Sequence, residues 1–532
     1  MARIGPRPTP TQSQTLQPVT THCPHCGQMM WADYTNHRNL ITLDGTIRLH
    51  LLIRRCHLDT CPRYRIPFRP EAEGRIALPY HEFGIDVISL VGQLRYSQHR
   101  SIGEILQLLT QRSVTISHRT VRNLLDRYDE LCTLTVSDPQ RVGSILAPQG
   151  RVILALDGLQ PDVGHEVLWV LRDCISGLIL MARSLLSSTT DDLASLIGGV
   201  RDAIPVPITG VVSDGQTSIR AAVAKALPGV PHQLCQFHYL REAARPIYEA
   251  DRHAKKELKK RVRGIRVIER QAEQLSGPER ELIEGYCAAV RSALTDDGPA
   301  PLNSPGLQLH ERLRQIAASL DRLEAKGRIV GSLKRLRRLL EKGLNETASS
   351  WPVIQEWYGW VRRVAHVLSN EDQANGKVVR RRLNAVLRRM RQEVREKQGS
   401  AKVLSHFLRV TGSYKPGLFH CYDGTGLPRT NNDLEQMFGS HRYHERRSNG
   451  RKKGGSGVIV RGSVRLVSSV ATRLGWLEGE TLVLRDQLQW KQLRKRLEQR
   501  MNSRCQQRRY RQDPQSYLTK LENIELQSTL PH

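Results

Sequence analysis

Arg151-Val-Ile-Leu-Ala-Leu-Asp157-Gly158 and Ile208-Thr-Gly-Val-Val-Ser-Asp214-Gly215 repeat one pattern, an apolar run that ends on a carboxylate followed by glycine. Runs of about four to eight residues rich in Val, Ile and Leu read as buried strands. Two such strands, each delivering an Asp to its end, put two carboxylates at one edge of one sheet. Carboxylates held that close repel one another, so the arrangement makes physical sense with a divalent cation between them.

The residues between the two runs extend the pattern. Pro161-Asp-Val-Gly164 reads as a turn, Val167–Leu171 as a strand leading into Asp173 and Cys174, and Gly177 opens a third strand over Leu178–Ala182. Thr190-Asp-Asp starts a helix through Leu193, Leu196 and Val200, the next strand ends at Asp214, and Gln216–Leu227 is a further helix. Strand-strand-strand-helix-strand-helix is the outline of a ribonuclease H-like mixed sheet, in which the first and fourth strands lie side by side. Asp162, Asp173, Asp191 and Asp192 compete as carboxylates, but none ends a buried strand before a glycine, and they read as turn, capping or solvated positions.

Just beyond Asp214 comes His232-Gln-Leu-Cys235-Gln-Phe-His238. Cys235 and His238, three apart at the start of a helix, share a face and are open to three roles: metal binding, orienting a neighbouring helix, or packing. With Asp157 and Asp214, this pair resembles the DDE transposases of the Mutator-like and hAT-like supergroup and related bacterial insertion-sequence transposases. The resemblance implies a third acidic residue on a helix far downstream, after a long helical insertion. Pro428-Arg-Thr-Asn431-Asn432-Asp433-Leu-Glu435 supplies it, with Asn431 or Asn432 as helix cap, Glu435 as the expected third acid and Asp433 as its competitor. It further implies two Mg²⁺ (or Mn²⁺) ions roughly 3.5–4 Å apart on Asp157, Asp214 and Glu435. The activity implied is cleavage of transposon-end DNA followed by strand transfer. The partners implied are double-stranded DNA, as terminal inverted repeats and target, and further copies of the chain in a homodimer or higher oligomer on that DNA. The rivals are a transposase-derived DNA-binding regulator without catalytic activity, and a ribonuclease H-like nuclease that does not transpose.

Composition points the same way. Across 532 residues the formal charge is +29 and the pI about 10.1, an excess that calls for a polyanionic partner. No apolar stretch nears the ~20 residues of a membrane span, and no signal pattern opens the chain. Ten cysteines in so long a chain suit a reducing interior: the cytoplasm, on the nucleoid, if the source is bacterial, and the nucleus otherwise.

Residues 1–20, rich in Pro, Thr and Gln, are expected to be disordered. In 21–75, Cys23-Pro-His-Cys26-Gly and Cys56-His-Leu-Asp-Thr-Cys61 have the spacing of a structural zinc module, with His22, His25 and His57 as substitute ligands. Four reduced cysteines in a small hairpin module are the plainer reading, but so short a segment has little core of its own without a metal. Over 80–135, Ser101-Ile-Gly-Glu104 forms a capping box, and Ser117 caps a second helix carrying His118, Arg119, Arg122 and Asn123. This is a helix-turn-helix pattern whose second helix would enter the major groove, against the plainer alternative of a helical connector.

The catalytic fold is expected over 150–240 and 426–475, split by an all-α insertion over 241–425. In the insertion, Leu309, Leu313, Ile316, Leu320 and Leu323, then Leu333, Leu336 and Leu340, recur at helical spacing as packing stripes. Trp351, Trp357, Tyr358 and Trp360 read as a packed aromatic cluster, and Arg380–Arg395 as a basic helix face on DNA. The tract from His441 to Gly455, with Arg446, Arg447, Arg451 and Lys452, reads as an arm on phosphates. Residues 476–532 form a basic tail, helical then frayed. The whole is a multidomain α+β chain.

Overall fold

The structure, a computed structural model, describes all residues except 1–8, 161–165, 328, 397, 425, 451–455, 478–481 and 529–532. The chain divides into two units. One takes the residues up to Val152, Asp157–Pro207 and those from Asp433 onward; the other takes Ile153–Leu156 and Ile208–Asn432.

The first unit opens with a three-stranded sheet of β1 (Gln12–Leu16), β2 (Trp31–Thr42) and β3 (Gly45–Arg55), in the order β1-β3-β2. β2 and β3 form an antiparallel hairpin, and β1 runs parallel to β3. Leu40, Leu49, Leu51 and Ile53 are fully buried and, with Leu16, form its small core. The expectation of disorder over 1–20 therefore fails for Gln12–Leu16: this polar segment is held by its backbone pairing to β3, which composition does not reveal. Helices α1 (Glu73–Ile76), α2 (Ile85–Tyr96), α3 (Ile102–Gln111), α4 (His118–Val136) and α5 (Pro139–Gln149) follow. The Ser101–Glu104 capping box forms in both directions, and the Ser117 hydroxyl accepts the Thr120 amide at 3.2 Å.

β4 (Val152–Leu159), β5 (Val167–Asp173), β6 (Ile179–Leu185) and α6 (Thr190–Ala203) come next, then β7 (Ile208–Ser213), α7 (Thr217–Ala226), β8 (His232–Leu234) and α8 (Gln236–Ala243). The strand order is β6-β5-β4-β7-β8. β5 and β6 are antiparallel and β7 and β8 parallel, so the sheet is mixed. The apolar residues Val152–Leu156 of β4 and Val211 and Val212 of β7 are buried, as strands covered on both faces require. The turn expected over 161–164, with Asp162, lies outside the described residues.

The rest of the second unit is helical: α9 (Arg245–Arg261), α10 (Ile265–Ala272), α11 (Pro278–Thr295), α12 (Pro305–Ala325), α13 (Gly331–Thr347), α14 (Trp351–Ser369), α15 (Gly376–Glu396) and α16 (Gln398–Tyr414). Their apolar stripes meet in one core. Leu309, Leu313 and Leu320 of α12, Leu333, Leu336 and Leu340 of α13, and the Trp351–Trp360 cluster of α14 are all buried in it. On α15, Val379, Leu383, Leu387 and Met390 face inward, which leaves the arginines to the opposite side.

α17 (Asn432–Asn449), α18 (Ser456–Arg473), α19 (Gln487–Gln512) and α20 (Pro514–Ser528) return the chain to the first unit. The tail, expected to be helical then frayed, is helical over α19 and again over α20. Trp490 of α19 is 2% exposed, and its indole N–H donates to Glu130 of α4 at 2.9 Å. Glu130 also receives Arg461 of α18 at 3.0 Å and Arg127, one turn back on α4, at 2.7 Å, so two of the three partners of this buried acid lie more than three hundred residues away.

Candidate functional site

Asp157 does not end its strand. β4 runs on through Gly158 to Leu159, and the Gly158 amide donates to Asp157 Oδ1 at 2.7 Å. Gly158 is required by close packing, because a Cβ there would lie 2.9 Å from Val167 Cγ1 and 3.3 Å from the Trp169 ring. Asp214 follows β7 directly, and its Oδ1 accepts the Gln216 amide at 3.0 Å, which shapes the turn into α7. Gly215 is needed for a stronger form of the same reason: an added Cβ would fall 2.0 Å from Tyr414 Cζ. Both Asp side chains are half-buried. A bond from the Val152 amide to the Pro207 carbonyl at 2.9 Å ties the beginnings of β4 and β7 together.

The competing carboxylates settle into local roles. Asp173 accepts the Ser176 amide and hydroxyl and the Gln149 side chain, closing the β5–β6 turn. Asp191 and Asp192 stand in the first turn of α6, where Asp192 and Thr189 cap each other.

The long insertion is closed by a seam inside the second unit. Leu427 packs against Gly210 of β7, where no Cβ would fit. The Gln236 amide donates to the Arg429 carbonyl at 3.0 Å, and the Asn431 amide donates to Cys235 Sγ at 3.3 Å. The Asn431 side chain in turn donates to the Leu156 carbonyl at 3.3 Å, one residue before Asp157. Cys235 is fully buried at the N-terminal end of α8, where its side chain makes no capping bond to the helix and instead meets the segment that enters α17. His238 lies on α8 one turn further. Asn431 stands just before α17, but its side chain is spent on β4 and not on a cap.

α17 buries Leu434, Phe438 and His441. Glu435, in the first turn, is half-buried beside that stripe, whereas Asp433 is exposed. Arg446 and Arg447 are exposed on its last turn. The tract from His441 is helical as far as Asn449 and not a loose arm. Arg95 of α2 fastens it by donating to the Ser448 carbonyl at 3.2 Å and to the Asn449 side chain at 2.8 Å. Arg451 and Lys452 lie outside the described residues. On α4, His118, Arg119, Arg122 and Asn123 are exposed on one side, while Val121, Leu124 and Leu125 pack inward.

Cys23, Cys26, Cys56 and Cys61 converge, their sulfurs all within 4.8 Å of one another. Zinc–sulfur bonds of about 2.3 Å in a tetrahedron set sulfurs about 3.8 Å apart. Cys26 and Cys56 are 3.6 Å apart, and Cys23 and Cys61 3.9 Å. Two tight turns make the set: Gly27, at φ +71°, donates to the Cys23 carbonyl at 2.9 Å, and the Arg63 amide donates to Cys61 Sγ at 3.4 Å. The cluster can hold a metal ion such as zinc, with no need of His22 or His57, both exposed. Amides of Cys26 and His25 pull the Cys23 thiol down to about 6 against burial. At Cys56 the Leu58 amide acts in the same direction, but burial and the Cys26 and Cys23 thiols outweigh it and push the pKa up to about 12. Cys61 is raised as well, its Arg63 amide outweighed by burial and the Cys26 and Cys23 thiols. Among the described residues this is the one such group of three or more His, Cys, Asp or Glu ligands; Asp157, Asp214 and Glu435 form none that tight.

No helix among the described residues is long and apolar enough to cross a membrane. No protein-family model matches the sequence, and a search of curated proteins finds no match.

Proposed function

We propose that the protein is a DDE transposase with a ribonuclease H-like catalytic fold, binding transposon-end DNA and cutting and joining strands at Asp157, Asp214 and Glu435. One observation carries the reading: in the order β6-β5-β4-β7-β8 the strand that carries Asp157 and the strand that Asp214 directly follows are neighbours although some fifty residues separate them in sequence. The return seam adds support, since it delivers the chain to α17 four residues before Glu435. Three carboxylates are a hard-oxygen donor set of the kind that suits Mg²⁺ or Mn²⁺. Ions held there supply charge stabilisation to the attacking and leaving oxygens at phosphorus. The chain's own part is to carry Asp157 on β4, Asp214 at the end of β7 and Glu435 in the first turn of α17. The four-thiol module takes a structural zinc. The exposed residues of α4 in the α3–α4 helix-turn-helix read the terminal repeats, and Arg446 and Arg447 bind phosphates, with more than one copy on the DNA.

The test uses DNA carrying the inverted repeats that bracket the reading frame. Mg²⁺-dependent nicking and joining of those ends supports the proposal. End binding without cleavage in Mg²⁺ or Mn²⁺ overturns the enzymatic part and leaves a DNA-binding regulator.

A further inference from the structure

The core-facing side of the first sheet does not stop where its core stops. In the β2–β3 register Trp31 pairs with Arg55, Ala32 with Arg54 and Tyr34 with Ile53, so Asp33 is the extra residue of a bulge. A bulge shifts the alternation of side chains by one. Trp31 and Tyr34, three apart, therefore fall on one face together with Arg55 and Ile53. Ile53 is fully buried, but beyond it Tyr34 is 40% exposed and Trp31 61%. The Arg55 guanidinium stands 5.2 Å from the Tyr34 ring centroid and is steadied by Asp33 at 3.0 Å. Two exposed aromatic rings, one of them in contact with a guanidinium, thus share one face of the hairpin, in a segment holding eight arginines against five acidic residues from Trp31 to Arg75.

We propose that Trp31, Arg55 and Tyr34 form a stacking platform for the unpaired bases of a DNA strand. This rests on the nucleic-acid reading above and adds a substrate form to it. An apolar protein partner would gain little from the guanidinium that lies against the Tyr34 ring. A polyanion whose bases offer flat faces satisfies both the charge and the rings. Paired duplex keeps those faces stacked inside, so the platform selects strands that are melted, frayed or flipped.

The experiment measures binding of the full-length protein to a labelled oligothymidylate and to a duplex of equal length, across a salt series. The variants are Trp31→Ala, Tyr34→Ala and Trp31→Phe. Each alanine variant is expected to weaken single-strand binding about tenfold, the scale of one base–aromatic stack. Duplex binding and the salt slope stay unchanged, and Trp31→Phe recovers most of the loss. Thermal melting of each variant confirms that these exposed substitutions leave the fold intact. Wild-type duplex binding with no single-strand loss in the alanine variants overturns the platform alone. Equal losses on both forms, or a change in oligomeric state without a change in DNA binding, overturn it too. A wild-type protein that binds neither form of DNA removes the nucleic-acid reading and the platform together.

Discussion

The four-thiol cluster makes a quantitative prediction about pH. Without metal, Cys23 titrates near 6 and Cys56 near 12, with Cys61 also raised above its ordinary value. At pH 7 the cluster therefore carries the Cys23 thiolate while Cys56 and Cys61 keep their protons. Zinc takes thiolates, so binding must expel at least those two protons. The sign follows: acid competes with the metal, and affinity rises with pH. With two protons released, the apparent association constant climbs about a hundredfold per pH unit near neutrality. Titration of metal-free protein with zinc against a chelating indicator, at several pH values around 7, reads this slope directly. A stoichiometry near one zinc per chain and a slope of a hundredfold or more agree with the geometry. A slope of tenfold or less, or no zinc bound, would refute the reasoning that the four sulfurs act as one ligand set.

Other substitutions probe the scaffold. Gly215→Ala forces a Cβ into the Tyr414 ring and is expected to cost about 1–3 kcal/mol, read by denaturant unfolding; an unchanged midpoint would contradict the packing described. Cys235→Ala leaves the buried Asn431 amide without its acceptor, at about 1–3 kcal/mol. Strand cleavage should fall while end binding holds, and equal loss of both would speak against an orienting role. Arg122→Ala should weaken end binding and lower the salt slope by about one if it contacts phosphate, measured by anisotropy in a salt series; unchanged binding takes α4 off the DNA.

What could be read from the sequence was what local patterns encode. The apolar runs gave the strands around Asp157 and Asp214, the leucine spacing gave the helical insertion, and the Cys spacing gave the thiol cluster. Three features escaped because their causes are distant or backbone-borne. Gln12–Leu16 pairs through its main chain and carries no apolar signature. His232–Leu234 is a three-residue strand added to β7, too short to show periodicity. The buried Glu130 of α4 draws Arg461 and Trp490, and the buried Asp129 draws Tyr96 and Arg465, partners which no local window contains. The glycines after Asp157 and Asp214 were legible as a signal, but their reason was not. They make room for Trp169 and Tyr414; neither has the positive φ of a turn glycine.

The central claim, that Asp157, Asp214 and Glu435 act together on DNA, is tested most directly by cleavage of end-containing DNA in Mg²⁺ by Asp157→Asn, Asp214→Asn and Glu435→Gln beside wild type. The proposal predicts cleavage by wild type alone, with end binding intact in all four proteins. Cleavage at the wild-type rate by any one of the variants would remove that residue from the site.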